Sequence, residues 1–381
     1  MTTRILYLAV ADARGHLMRG HLLRRLLAPE GIDVDLVTTS AEGQQFLANL
    51  GSPSHRISNH FHVEFGARHD MRFDATAARV ARYLAFPRRG LADGRQLQEL
   101  AEGAAFVVND SLHPALLAAP AFGSSMRVVQ LAGENLWAAA AAHFDHQPAP
   151  IRRAYRRLLA RASNHSFARI THTLGATRVD EPSRNWWLPP IVDLPGRSRQ
   201  QVRDALGVPH GQPLAVVYLN PHFQEEQIAE SVEQALRARG YFLYGVSERF
   251  HHRHSWIAQD GRLADAIAAA DVYLSGAGMG ALEQARAYRT PFVSLLGDQP
   301  EQRRNVEAIL GTGCREVALA KLEDTPAALQ RSIDAALAEL PARRAATTDH
   351  PHVRALHRLW RDAFTHLVSR TGETDARPHA A

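Results

Sequence analysis

The chain has 381 residues, 45% of them hydrophobic and 22% charged; that is longer than one hydrophobic core usually serves, the composition excludes extensive disorder, and two domains of roughly 150 to 200 residues are expected. A single cysteine, Cys314, excludes an intrachain disulfide framework and any cysteine-rich metal site and agrees with a cytoplasmic location. The formal net charge of +5 is modest, and no basic stripe interleaved with aromatics and no zinc-finger spacing points to nucleic acid.

In chain order, Arg4 to Val10 reads as a buried strand, too short for a signal-peptide core because Asp12 and Arg14 follow at once. Leu17 to Ala28 reads as an amphipathic helix with Leu22, Leu23, Leu26 and Leu27 on one side, and Asp33 to Val37 as a second strand, with Thr38, Thr39 and Ser40 capping the next helix. Further strands are expected at Ala105 to Val108 and Arg127 to Leu131, so this half reads as doubly wound. Arg152, Arg153, Arg156, Arg157 and Arg161 make a basic helix face opposite Tyr155, Leu158 and Leu159, read as a solvated helix, with a membrane-surface contact as the alternative. The proline-rich segment from Trp186 to Pro195 is expected to link the domains. A second strand–helix alternation then runs through strands at Leu214 to Leu219, Phe242 to Val246, Val272 to Leu274 and Phe292 to Leu295 and helices at Gln224 to Arg239, Arg262 to Ala270, Gly280 to Tyr288 and Glu301 to Leu310. The expected division is an N-terminal domain over 1–188, a C-terminal domain over 189–348, a helix over 349–368 and a disordered tail over 369–381. No apolar run reaches the roughly 20 residues of a membrane span, and the clustered histidines His251, His252 and His254 fit no metal spacing.

Two constellations carry chemistry. The first is the strand and glycine-rich turn Asp271-Val-Tyr-Leu-Ser275-Gly276-Ala277-Gly278-Met279-Gly280, opening a helix that contains Glu283, followed by Thr290-Pro291 and by Glu301-Gln302-Arg303-Arg304-Asn305. Free backbone N–H groups and the positive end of the dipole at such a helix start receive phosphate, and glycines let a ligand approach the backbone. The second is Gly15-His16-x-x-Arg19 directly after the first strand, with a strand that ends at Asp110. In a doubly wound sheet the first and fourth strands adjoin at the switch point, which puts His16 and Asp110 at neighbouring carboxyl ends. A histidine can act there as a base at neutral pH, with the aspartate orienting it. Arg19 shares the helical face of His16, whereas His21 lies about 140° around the helix.

This order of motifs resembles the nucleotide-sugar glycosyltransferases of the GT-B class, especially family 1 and the peptidoglycan-type family 28. The resemblance implies two Rossmann-like, doubly wound α/β domains facing across a cleft. It also implies that Gly278 and Gly280 face the donor diphosphate, Glu283 the ribose hydroxyls, and Glu301 and Gln302 the sugar hydroxyls, with Ser275, Gly276, Met279 and Asn305 also in the donor site. Trp256, in a Trp-x-x-Gln resembling the one that opens the family 1 donor motif, would stack on the nucleobase, with simple packing in the core as the alternative reading. His16 resembles the family's catalytic base and Asp110 its partner, with Arg19 reaching acceptor or phosphate. One departure stands out: the glycine turn has one residue fewer before Glu283 than the common bacterial pattern.

The expectation is therefore a metal-independent, inverting transfer from a UDP- or dTDP-sugar to a small-molecule or lipid-linked acceptor, with no cofactor beyond that co-substrate, and with homo-oligomer formation left open. Two alternatives stand beside it: a GT-B-fold nucleotide-sugar hydrolase that activates water with His16, and a non-catalytic GT-B-like auxiliary protein. Acceptor contacts are expected from residues 59–95 and 133–150.

Overall fold

The computed structural model describes residues 2–11, 14–58, 62–66, 72–110, 112–121, 124–136, 148–342 and 349–372. Residues 373–381 of the expected tail and parts of both expected acceptor loops lie outside the described residues. The first sheet contains β1 (Thr3–Ala9), β2 (Ile32–Thr38), β3 (Ser54–Arg56), β4 (Val107–Asp110), β5 (Val128–Gly133), β6 (Ala168–His172), β7 (Arg178–Asp180) and β8 (Asn185–Leu188), in the order β3-β2-β1-β4-β5-β6-β8-β7. Only the pairing of β7 with β8 is antiparallel among these strands. Its helices are α1 (Arg14–Leu27), α2 (Ala41–Asn49), α3 (Phe73–Ala85), α4 (Pro87–Leu100), α5 (Pro114–Ala121) and α6 (Ala149–His165).

β1 shows why its sequence is a continuous apolar run. Ile5, Tyr7 and Ala9 face one core with Leu17 and Leu23 of α1, while Leu6 and Leu8 face another with Leu97 of α4 and Leu116 of α5. A parallel strand covered on both faces has no solvent side to make polar. On α6, Leu159 and Ala162 are buried and Arg153, Arg156, Arg157 and Arg161 are exposed, as the basic-face reading expects.

The second sheet contains β9 (Leu214–Tyr218), β10 (Phe242–Val246), β11 (Trp256–Ile257), β12 (Val272–Gly276), β13 (Phe292–Leu296) and β14 (Val317–Lys321), all parallel, in the order β11-β10-β9-β12-β13-β14. Around it lie α7 (Arg199–Leu206), α8 (Glu226–Ala238), α9 (Leu263–Ala269), α10 (Met279–Tyr288), α11 (Pro300–Gly311) and α12 (Pro326–Glu339), and α13 (Pro351–Ser369) follows. Here too the strands are sandwiched: Val272 and Leu274 meet Ile228 and Val232 of α8, and Tyr273 meets Leu282 of α10.

Several elements differ from expectation. The Trp186 and Trp187 segment is not linker but strand β8, because Trp186 and Leu188 both insert into the first core; the prolines start only where the sheet ends. The structure adds the short edge strand β11 and the pair β14 and α12; β14 is the last strand of its sheet and its exposed Leu319 and Lys321 interrupt the apolar pattern. Lastly, α13 continues through Ser369 into a 3-10 turn at Arg370–Gly372, past the point where a tail was expected to begin.

α13 binds the two halves together. Val353 and Leu356 sit in a core of the second domain, whereas Trp360, Ala363, Phe364 and Leu367 sit in the core of the first. His357 Nε2 donates to the Val192 carbonyl at 2.8 Å and Trp360 Nε1 to the Pro189 carbonyl at 2.9 Å, fixing the interdomain segment. Trp360 is fully buried. Trp360→Ala is expected to cost about 3–5 kcal/mol, the usual loss for a large buried aromatic, read as a lower urea midpoint with an unchanged far-ultraviolet spectrum in the folded baseline.

Candidate active site

β1 and β4 are neighbours, with Ala9 opposite Asp110, and α1 starts five residues beyond the end of β1 at Arg14. This places His16, in the first turn of α1, beside the carboxylate at the end of β4: His16 Nδ1 lies 2.9 Å from Asp110 Oδ1. Asp110 is fully buried. Arg19, one turn after His16, donates through Nη1 to both carboxylate oxygens at 2.6 and 2.7 Å, and the Tyr7 hydroxyl donates to Oδ2 at 2.6 Å.

The charge on Asp110 assigns the tautomer. The Asp110 carboxylate is ionised and can only accept, so its 2.9 Å contact with His16 is made by a hydrogen on Nδ1, and the 3.2 Å approach of Arg19 Nη1 to that same nitrogen is then not a donated bond. Nδ1 therefore carries the ring hydrogen and donates to Asp110 Oδ1, leaving the lone pair on Nε2. Burial by itself would raise the Asp110 pKa, but the charges of Arg19 and His16 and the hydrogen bonds from His16 and Tyr7 outweigh it and hold the carboxyl well below the usual carboxylate range.

Across the cleft, β12 ends in Ser275, which is buried, and Gly276. Gly278 caps α10 without a side chain to occupy the helix start, and a Cβ at Gly278 or Gly280 would meet nothing within 4 Å. The first N–H groups of α10 are thus open to a ligand. The two domains close tightly beside this turn: a Cβ on Gly133, at the end of β5, would lie 2.9 Å from Met279 Sδ and 3.9 Å from Glu301 Oε1. Glu301 feels the charges of His16 and Arg19 across the gap; burial nevertheless pushes its pKa up. Asn305 accepts from Asn135 of the first domain at 2.9 Å and donates to the Ala277 carbonyl of the glycine turn at 3.3 Å, and Gln302 is buried beside it.

Other expected site residues stand elsewhere. Trp256 packs in the core instead of against the cleft: its ring lies edge-on to Phe250, its Nε1 donates to Glu233 at 2.8 Å, and it covers Gly245 so closely that a Cβ there would lie 2.3 Å from the indole. Glu283 is fully buried, with one oxygen held by Arg286 and the other 2.8 Å from His352 Nε2 on α13. Gln284, the next residue, lines the interdomain cavity with Gly280 and Ala281. Arg19, expected at acceptor or phosphate, spends Nη1 on Asp110.

Sequence reasoning missed Tyr7, whose only signal is a hydroxyl within the apolar run Ile5 to Ala9, and the contacts that close the cleft. Arg14 forms a two-pronged ion pair with Glu248 at 2.7 and 2.8 Å, Asn49 donates to Gln259 at 2.9 Å, and Phe65 stacks on His222 with ring centroids 3.6 Å apart. Enclosed by these contacts is a cavity of about 150 Å³ lined by Arg14, Met18 and Phe46 on one side and Tyr218, Gly280 and Gln284 on the other. Ligand pockets usually measure roughly 300–1,000 Å³, so this space is smaller than the usual range.

No protein-family model matches the chain, and no curated protein matches it. Solved structures do. The spinosyn rhamnosyltransferase SpnG aligns with a TM-score of 0.59 over 97% of this chain and 98% of its own, at 14% identity. The spinosyn forosaminyltransferase SpnP gives 0.56 over 98% and 100%, at 15% identity. The glycosyltransferase VinC, solved in complex with dTDP, gives 0.56 over 97% and 98%, also at 15%. The chain therefore has the two-domain GT-B fold of these glycosyltransferases.

The ion cluster has a pH signature. A carboxyl whose folded pKa is depressed stabilises the folded state above its ordinary pKa, and that contribution is lost as pH falls toward the folded value. Wild type should exceed Asp110→Asn in urea stability by a constant margin at neutral pH and lose that margin progressively below about pH 4, the ordinary aspartate range. A margin independent of pH down to acid would show that the charge of Asp110 does not stabilise the fold.

Proposed function

We propose that the protein transfers a sugar, with inversion, from a nucleoside-diphosphate sugar to an acceptor hydroxyl, using His16 as the base. The observation that carries this reading is the His16–Asp110 pair, with its free Nε2, placed across the cleft from the open start of α10 and from Glu301. The hydrogen-bonded pair also speaks against an auxiliary protein without catalysis. A UDP- or dTDP-sugar is the donor class; that VinC was solved with dTDP and another SpnG structure with thymidine diphosphate supports it by analogy of fold.

The acceptor oxygen attacks the anomeric carbon as His16 Nε2 takes its proton; the bond from that carbon to the β-phosphate oxygen breaks, and the nucleoside diphosphate leaves with the electron pair. Asp110 stabilises the imidazolium, and the N–H groups at the start of α10 meet the negative charge developing on the phosphate. Glu301 and Gln302 would hold the sugar hydroxyls. Asn305 acts from behind them, fastening the glycine turn. Gln284, not Glu283, would reach the ribose, since both Glu283 oxygens are already engaged.

Two measurements test this. His16→Ala should lower turnover by about 10²–10⁴-fold with nucleotide affinity nearly intact; unchanged turnover with an alcohol acceptor at neutral pH would remove His16 from the reaction. Release of free sugar at the same rate without any acceptor would instead mark a hydrolase. In calorimetry with UDP and dTDP, Gln284→Ala should weaken binding by about 0.5–1.5 kcal/mol, the usual worth of one hydrogen bond, while Glu283→Ala should chiefly lower the melting temperature. Losses of affinity confined to Glu283→Ala would return the ribose contact to that residue.

A further inference from the structure

Asp110 has more partners than an orienting carboxylate requires. Tyr7 and His16 already satisfy one oxygen each, yet Arg19 Nη1 reaches both oxygens at 2.6 and 2.7 Å. A guanidinium stays charged at every pH the protein can meet. At this distance, and out of water, it cancels much of the carboxylate charge that the imidazole would otherwise feel. His172 and Glu301 also interact electrostatically with His16. His172, at the end of β6, is buried against Trp360 with neither ring nitrogen hydrogen-bonded, and burial holds it neutral. Glu301 stands across the cleft and is pushed by burial toward its neutral form. Neither replaces the charge that Arg19 takes from Asp110.

We propose that Arg19 is a positioning residue that shares Asp110 with His16 and leaves a mild base, suited to acceptors whose hydroxyl is itself acidic, a phenol or an enol, in preference to an alkyl alcohol. The inference rests on the assignment of His16 as base. Its chemistry follows from matching base to acid: a phenol ionises near pH 10, as tyrosine does, whereas an alkyl hydroxyl is nearer to water at about 15.7. A mild base can remove the first proton as the bond to the sugar forms, but gains far less on the second.

The test uses the full chain with histidine rings labelled for NMR, the His16 signal being assigned by its loss in His16→Gln. Arg19→Gln removes the charge but keeps a hydrogen-bonding amide, and Arg19→Lys keeps the charge. Without the neighbouring cation the imidazolium is favoured, so the His16 titration midpoint should rise by about 1–3 pH units in Arg19→Gln and stay close to wild type in Arg19→Lys. A purely structural role would not move it, and an unmoved midpoint in folded Arg19→Gln overturns the proposal. Should that variant fail to fold, the wild-type ring nitrogen shifts decide: hydrogen on Nδ1 supports the shared carboxylate, whereas hydrogen on Nε2 makes Arg19 the ring's donor and overturns it. With UDP-glucose and dTDP-glucose as donors, wild type should prefer phenol and 4-methylumbelliferone to benzyl alcohol, and Arg19→Gln should narrow that preference about 10-fold or more. Transfer that ignores His16→Ala would refute the assignment of the base itself; transfer that depends on His16 with an unmoved Arg19→Gln midpoint would refute only the role of Arg19.

Discussion

A carboxylate shut away from water must find its counter-charge inside the protein, and Asp110 does so by drawing three elements to one point. Its oxygens join Tyr7 of β1, His16 and Arg19 of α1 and its own strand β4, so that the first βα unit and the fourth strand are locked in one orientation. Removing a partner from such a buried charge typically costs about 3–5 kcal/mol. The same bonds that hold α1 in place therefore fix which way the His16 ring points. Structural and chemical roles are carried by one group of atoms.

The second domain depends on that placement because it brings the other half of the site to the same gap. Parallel strands end together at one edge of a sheet, and in an open α/β sheet that edge is where ligands bind. Here the two edges face each other, with Gly133 against Met279 and Glu301 and with Asn135 bound to Asn305. α13 holds the domains from behind, burying apolar residues in both cores, while the Arg14–Glu248 pair closes the front. An apolar tether and a polar clasp differ in what opens them. Breaking the clasp would hand two charges back to water, whereas withdrawing Trp360 and Phe364 would expose a core.

Local patterns in the chain carried much of the architecture. Apolar runs of β1, β9, β12 and β13 identified the buried parallel strands, the turn residues after them marked the helix starts, and topology alone put His16 beside Asp110. These were legible because a βα unit is a local object whose period and caps are written in adjacent residues. Elements at the edges were less so: β11 has two residues and β14 alternates with solvent, so neither presents the continuous apolar signal of a central strand.

What the sequence determined by itself was the doubly wound character of both halves, the glycine-rich helix start and the histidine and aspartate at strand ends. Tertiary structure alone decided which side chains remain free to act. Trp256 and Glu283 have the chemistry for a nucleotide site, but the indole N–H is engaged by Glu233 and the carboxylate by Arg286 and His352, residues 23, 3 and 69 positions away. Arg19 looks equally suited to a phosphate until Asp110, 91 positions on, claims its guanidinium. The physical reason is that a polar group in a closed interior takes the partner that packing delivers, and most of those partners are set by how distant segments meet, which neither composition nor spacing records.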